Sequence, residues 1–304
     1  MIKKIITLIS ISLFISTTPA MAIEGGEPVY NDPNAVAVGF DNHGGCGGFM
    51  YTSRILITAA HCTYGVKLPS FETYKLSDNQ VFVWTADKFN KDPILSTKIF
   101  RPNNFVWQRT GEYWGYGNDF AVVVLSKPIK IKNKISLITK EELDLFVKNK
   151  TKITLIGFGR QSKEDFRGYR NASKATFELI SQQEADITIN EYRSKWGRGG
   201  KYDYPAHFKV PVGAVTPCDG DSGSPVIIEN NEKRIFVGPV SYMLGSTNCG
   251  ADPFWGNNGA VQSFYPAYMF ANLVQDAEKY VEEKYTIKAA KVITKSKEKS
   301  KKNK

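Results

Sequence analysis

The chain has 304 residues, of which 42% are hydrophobic and 23% charged. These are ordinary values for a soluble globular protein, and they exclude wholesale disorder, a collagen-like repeat and a polytopic membrane protein. The net charge of +10 suggests a nucleic-acid binder only until it is located: Lys3 and Lys4 supply +2, and the segment 288–304, with eight lysines and one glutamate, supplies +7. The residues between are close to neutral, so no basic face on the fold is implied.

In chain order, the first element is a basic start at Met1–Lys4, an apolar run over 5–15 and then Ala20-Met21-Ala22. This pattern predicts a signal peptide, 1–22, with small residues at the cleavage site. The apolar run is shorter than the roughly 20 residues a membrane helix needs. Export implies an oxidising destination, where cysteines pair. The 265 residues of 23–287 suffice for one large domain or two small ones.

Most of 27–264 reads as short strands broken by Gly, Asn, Asp and Pro. The clearest are Ile55–Thr58, Ala121–Leu125, Ile153–Ile156, Val226–Ile228 and Ile235–Val237. Frequent turns with no alternating long helices predict an all-β barrel or sandwich. One helical stretch comes late, where Phe270, Leu273, Val274, Ala277 and Val281 recur at three- and four-residue spacing. After Ile287 the composition turns to Lys, Ser, Thr and Ala, which predicts a solvated tail.

The four cysteines, Cys46, Cys62, Cys218 and Cys249, have no zinc-type spacing. Three pairings are possible, and proximity in the chain favours Cys46–Cys62 with Cys218–Cys249. Loops of that length stabilise by ~3 kcal/mol each on the chain-entropy account.

Hydrolysis by a serine needs a nucleophile, a base, an orienting carboxylate and donors for the oxyanion. Residues 218–225 read Cys-Asp-Gly-Asp-Ser-Gly-Ser-Pro. Small neighbours leave the Ser222 hydroxyl open, and the N–H groups of Gly220 and Ser222 are candidate oxyanion donors. Of three histidines, His61 follows an apolar strand and adjoins Cys62, a rigid place for a base. His43, in a glycine-rich turn, and His207, in a polar stretch, read as exposed. Asp119 enters the buried run 121–125, and a buried carboxylate needs a partner such as an imidazole N–H.

His61, Asp119 and Ser222, in that order and in these motifs, resemble the trypsin/chymotrypsin family of serine endopeptidases, over about 23–284. Cys46-Gly47-Gly48, Gly157-Phe158-Gly159 and Val240-Ser241-Tyr242 resemble further family motifs, with Phe for Trp and Tyr for Trp. Ser224 replaces the second glycine of the family's Gly-Asp-Ser-Gly-Gly-Pro. The resemblance implies two six-stranded antiparallel β-barrels, about 23–135 and 136–264, with the active site between them. It implies a C-terminal α-helix, about 265–284, packed against the second barrel. It supports both disulfides and implies no cofactor and no metal.

The resemblance also bears on specificity and activation. Thr216, six residues before the nucleophile, takes the position of the family's pocket floor, with Ser241, Tyr242 and Met243 along the substrate strand. An uncharged floor and a methionine at the mouth imply cutting after small or medium apolar residues. Asp219 and Asp252 remain as alternative acids that would favour a basic residue. The segment 105–118, with Trp107, Tyr113, Trp114 and Tyr116, looks enlarged and should overhang the cleft. Ile23-Glu24-Gly25-Gly26 follows the signal cleavage site directly, so removal of 1–22 would free an Ile23 ammonium to pair with Asp221. The implied partners are protein or peptide substrates of a monomer. The lysine tail adds weak, salt-sensitive attraction to anionic surfaces without specific nucleic-acid recognition. The alternative is an inactive homologue serving as a binding module; such proteins usually lose a catalytic residue, and none is lost here.

Overall fold

In the computed structural model the described residues are 22–30, 32–40, 43–67, 70, 72–85, 92–110, 113–131, 135–160, 172–196, 204–212, 215–230, 233–244, 249 and 259–286. The expected leader up to residue 21, Asp252 and the lysine tail lie outside them.

The N-terminal half contains β1 (Glu27–Val29), β2 (Ala35–Phe40), β3 (His43–Met50), β4 (Ile55–Thr58), β5 (Tyr64–Lys67), β6 (Glu72–Lys75), β7 (Val81–Thr85), β8 (Ile94–Phe100), β9 (Val106–Thr110), β10 (Tyr113–Gly117) and β11 (Ala121–Leu125). Six of these close a barrel in the order β11-β4-β3-β2-β7-β8. Ala121 pairs with Thr58 and Val124 with Ile55, so β11 lies between β4 and β8. Its five residues are all buried, and alternate ones serve two cores. Val123 and Leu125 fill the barrel with Val36, Val38 and Leu56. Val122 and Val124 face outward into the cluster between the barrels, with Phe49, Phe236 and Phe270. Two apolar faces explain why this strand shows no hydrophobic alternation.

The C-terminal half contains β12 (Ile135–Leu137), α1 (Lys140–Lys148), β13 (Lys152–Gly157), β14 (Ala172–Ile180), α2 (Gln182–Trp196), β15 (Ala206–Val210), β16 (Pro225–Asn230), β17 (Lys233–Leu244), β18 (Ala260–Phe264) and α3 (Ala271–Val281). The order β14-β13-β16-β17-β18-β15 closes on itself through the β14–β15 pairing, giving a second six-stranded barrel. The strand β1, though N-terminal, pairs with β14 of this barrel.

The two barrels are joined by polar as well as apolar contacts. Arg234 of β17 makes a bidentate pair with Asp32, at 2.9 and 2.6 Å, and also bonds Glu229 and Asn34. Burial alone would raise the Asp32 pKa, but the Arg234 guanidinium and the N–H groups of Asn34 and Ala35 together hold the carboxyl below its usual range. Phe49 and Phe236 stack across the same boundary at 4.7 Å.

Three expectations need correction. The helix α3 packs on the first barrel, not the second: Phe270 stacks on Phe120 at 4.6 Å, and the Tyr280 hydroxyl donates to Thr97 O. The apolar stripe of α3 meets the outer face of β11, which would otherwise be exposed. Two further helices, α1 and α2, went unread, although Thr139 and Glu142 form a complete capping box at the start of α1. His207 is buried on β15, between Ser263 and Gln182 at 2.9 and 3.0 Å, and burial lowers its pKa to about 4.

Candidate active site

After Thr58 the chain tightens into a short 3-10 turn, Ala60–Thr63, which carries His61. The Cys46–Cys62 disulfide ties this turn to β3. Opposite it, Asn118 has φ 53°, a left-handed value that asparagine tolerates better than most residues. That bend turns Asp119 inward, fully buried. Asp119 Oδ1 accepts the backbone N–H of His61 at 2.8 Å, and Oδ2 lies 2.7 Å from His61 Nδ1. The Ser241 hydroxyl, from the second barrel, donates to the same Oδ2 at 2.6 Å. A carboxylate only accepts, so Nδ1 carries the ring proton and Nε2 keeps its lone pair.

Ser222 sits on the turn before β16, held from both barrels. Its carbonyl accepts the N–H of Gly47 at 2.7 Å, while Gly223 N donates to Val240 O at 2.7 Å. Gly223 has φ 75°, and a side chain there would strike Thr58 Oγ1, so the turn admits only glycine. The N–H groups of Gly220 and Ser222 have no hydrogen-bond acceptor among the described residues. Both stay available as donors. Ser222 Oγ and His61 share no hydrogen bond; a polar neighbour of Nε2 is Cys62 Sγ at 3.7 Å. Catalytic hydrogen bonds are often this loose before substrate binds. Cys46, His61 and Cys62 present donor atoms within 4.8 Å of one another, but the two sulfurs are joined and offer no thiolate to a metal.

Beneath the turn, Asp221 points away from the cleft and is completely buried. Its carboxylate accepts the N–H groups of Gly159 and Cys218 at 2.7 and 2.8 Å. Among the described residues no cation pairs with it, and burial pushes its pKa up to about 7 against the pull of those donors. Gly157 must lack a side chain because Asp221 Oδ1 and the Ile23 side chain fill that space. Ile23 is itself buried with φ 57°, an outlier for a β-branched residue.

A model of the trypsin family matches residues 23–265. The chain belongs to the trypsin family. It is 26% identical to urokinase-type plasminogen activator of Gallus gallus, over 65% of this chain and 44% of that protein. It is 24% identical to Trypsin-1 of Astacus astacus, over 70% and 82%, and 27% identical to a trypsin-like protease of Streptomyces glaucescens, over 68% of each. The chain thus spans less than half the length of the urokinase relative.

Within this trypsin-family frame, a cavity of about 350 Å³ opens beside Ser222, lined by Tyr116, Ser241, Tyr242, Met243 and Gln262 among others. Thr216 is buried beside the cavity rather than lining it. It exchanges two backbone hydrogen bonds of 3.1 Å with Glu24, and its hydroxyl turns to Pro217 O. Asp219 lines the cavity but lies 3.8 Å from the Arg160 guanidinium, which offsets its charge. The second disulfide, Cys218–Cys249, closes one wall. Gln262 escaped sequence reading: it lies on β18 opposite Met243, and only strand register brings it there. Tyr204 and Tyr265, which hold β10, also escaped it, being distant in sequence from every motif. Of the overhanging aromatics, Trp107 and Tyr116 pack against His61; the side chains of Tyr113 and Trp114 lie outside the described residues.

Proposed function

We propose that the protein is a secreted serine endopeptidase that hydrolyses peptide bonds in proteins through Ser222, His61 and Asp119. The observation that carries this is the Asp119 carboxylate. It is wholly buried and bonded to both the ring and the backbone of His61, which supports Nε2 as the nitrogen that serves Ser222. In the proposed reaction Nε2 takes the Ser222 proton as Oγ attacks the scissile carbonyl. The Gly220 and Ser222 N–H groups receive the oxyanion. The imidazolium then protonates the leaving amine, and water repeats the sequence on the acyl-enzyme. No cofactor or metal is required.

Activation follows from the Ile23–Asp221 chamber. Cutting after Ala22 would free the Ile23 α-amine, relieve its left-handed backbone and supply the cation Asp221 lacks. That pair would then fix the 219–222 turn. Two disulfides suit an exported protein. Met243 narrows the mouth of the cavity, which favours a small or medium apolar residue before the cut. The protein acts as a monomer on protein or peptide substrates, its tail adding weak affinity for anionic surfaces.

A fluorophosphonate probe tests the assignment. It should label Ser222 in protein whose N-terminus is Ile23, and Ser222→Ala should remove both label and peptidase turnover. Near-normal turnover in Ser222→Ala would overturn the reading. Labelling absent from the processed wild type would favour a binding module instead.

A further inference from the structure

The hairpin β9–β10 forms a two-stranded sheet of its own and joins neither barrel ladder. Its last turn is nevertheless held on both main-chain groups of one residue. Tyr116 N–H donates to the Tyr204 hydroxyl at 2.9 Å, and the Tyr265 hydroxyl donates to Tyr116 O at 2.9 Å. Both clamping tyrosines are buried and come from the second barrel's side of the cleft. Fixed this way, the Tyr116 ring lies flat on the His61 imidazole, with centroids 4.2 Å apart and planes 9° from parallel. Trp107 meets the Tyr116 ring edge-on at 5.2 Å and 88°, closing its outer side.

We propose that Tyr116 is a positioning residue for His61, and that the Tyr204–Tyr265 clamp makes its placement depend on correct docking of the two barrels. The proposal rests on the functional reading above. Asp119 fixes one nitrogen of the imidazole but leaves the ring free to pivot about that bond. A parallel ring on its face removes this freedom and keeps water off that side. It also acts in the reaction itself. When His61 takes the Ser222 proton, a positive charge appears directly against the electron-rich face of the phenol. That attraction is absent in the neutral resting state, so it lowers the barrier rather than merely aiding binding. The phenol hydroxyl has no part in this; the ring does.

The test uses protein purified after expression of the full chain, assayed on a peptide ester and titrated with a fluorophosphonate probe. Tyr116→Leu, which keeps the bulk but loses the π face, should lower kcat about tenfold while KM moves less than about threefold. Tyr116→Phe should restore kcat to within about twofold of wild type. Tyr204→Phe with Tyr265→Phe keeps the Tyr116 ring but releases its main chain, and should lower kcat by about half as much on a logarithmic scale. Thermal unfolding controls for folding of each variant. A Tyr116→Leu enzyme with wild-type kcat and a raised KM would overturn the proposal, reducing the ring to a wall for substrate. Equal losses in Tyr116→Phe and Tyr116→Leu would also overturn it, since the hydroxyl would then be what matters. Wild-type protein that leaves Ser222 unlabelled defeats the functional reading and this proposal together, whereas labelled wild type with an unimpaired Tyr116→Leu variant defeats this proposal alone.

Discussion

The two sides of the cleft are finished to different degrees. On the first barrel, Asp119 holds His61 through two hydrogen bonds, with a third from Ser241, and every partner is already in place. On the second, Asp221 sits under the Ser222 turn with two short backbone bonds and no cation among the described residues, its proton held up to about pH 7 by burial. Both carboxylates are fully buried. One has its imidazole partner through folding alone. On the activation proposed above, the other would gain its charge from chain cleavage. Folding would then build the base, and processing would complete the nucleophile's surroundings.

The largest effect expected from breaking this contrast lies on the finished side. Asp119→Asn keeps the shape but presents an amide to His61, which then favours the wrong tautomer. A loss of about 10⁴-fold in kcat is expected, with little change in KM. Steady-state kinetics on the purified variant measures it. A loss under tenfold would mean that Asp119 does not orient the base.

Asp221→Asn should act on the unfinished side and only after processing. Losing the Ile23 ammonium pair would remove about 3–5 kcal/mol, which corresponds to roughly 10²–10⁴-fold in turnover if the 219–222 turn loses its shape. All three catalytic side chains remain, so the loss would come from the turn alone. N-terminal sequencing of active protein is the companion measurement: any start other than Ile23 removes the pairing.

Sequence alone read much of this and missed the rest for definite reasons. The residues of the Ser222 turn and of the His61 turn are contiguous, and their small side chains announce a constrained backbone. The position of Thr216 relative to Ser222 does not reveal that its backbone is engaged by Glu24. The placement of α3 was unreadable for a different reason. Its apolar stripe states that it must be covered, but not by which barrel; β11, apolar on both faces, was the missing clue. Gln262 enters the site through pairing register, and Tyr204 and Tyr265, near the ends of β15 and β18, through their hydroxyl bonds to Tyr116; no local pattern encodes either.

A pH titration of stability separates the two forms of the protein. In the uncut chain the folded Asp221 binds its proton more tightly than the unfolded chain does. That contribution is fully present below about pH 4 and is lost as pH rises through about 7. A shift of this size corresponds to at most about 4 kcal/mol. His207 tilts the curve the other way: held neutral with a pKa near 4, it removes stability as pH falls below its unfolded value of about 6.5. It does so equally in cut and uncut protein, so the difference between their urea midpoints at pH 5 and 7.5 isolates Asp221. Uncut protein should lose stability relative to cut protein as pH rises, and Asp221→Asn should abolish the difference. Parallel curves for both forms would show that no charge is gained on cleavage.

The smallest effect tests how far the finished half is insulated. Phe270 braces Phe120, the residue after Asp119, and α3 continues into a last turn, Glu282–Thr286, that carries Tyr285 and completes a strap across the first barrel. The Tyr285 hydroxyl lies 3.1 Å from Thr97 Oγ1, and Arg54 stacks 4.0 Å above its ring. Tyr285→Phe removes the hydroxyl but keeps the ring and the cation over it, so a loss of about 1 kcal/mol in stability is expected. Phe120 and Phe270 lie at the opposite end of the strap from this bond, so kcat should not change. Nor should the pH-dependent difference between cut and uncut protein, because Asp221 belongs to the other barrel. A Tyr285→Phe variant with wild-type stability but altered kcat would mean that the strap reaches His61 or Asp119 through the first barrel. The separation of the two halves would then fail at the place where it should be strongest.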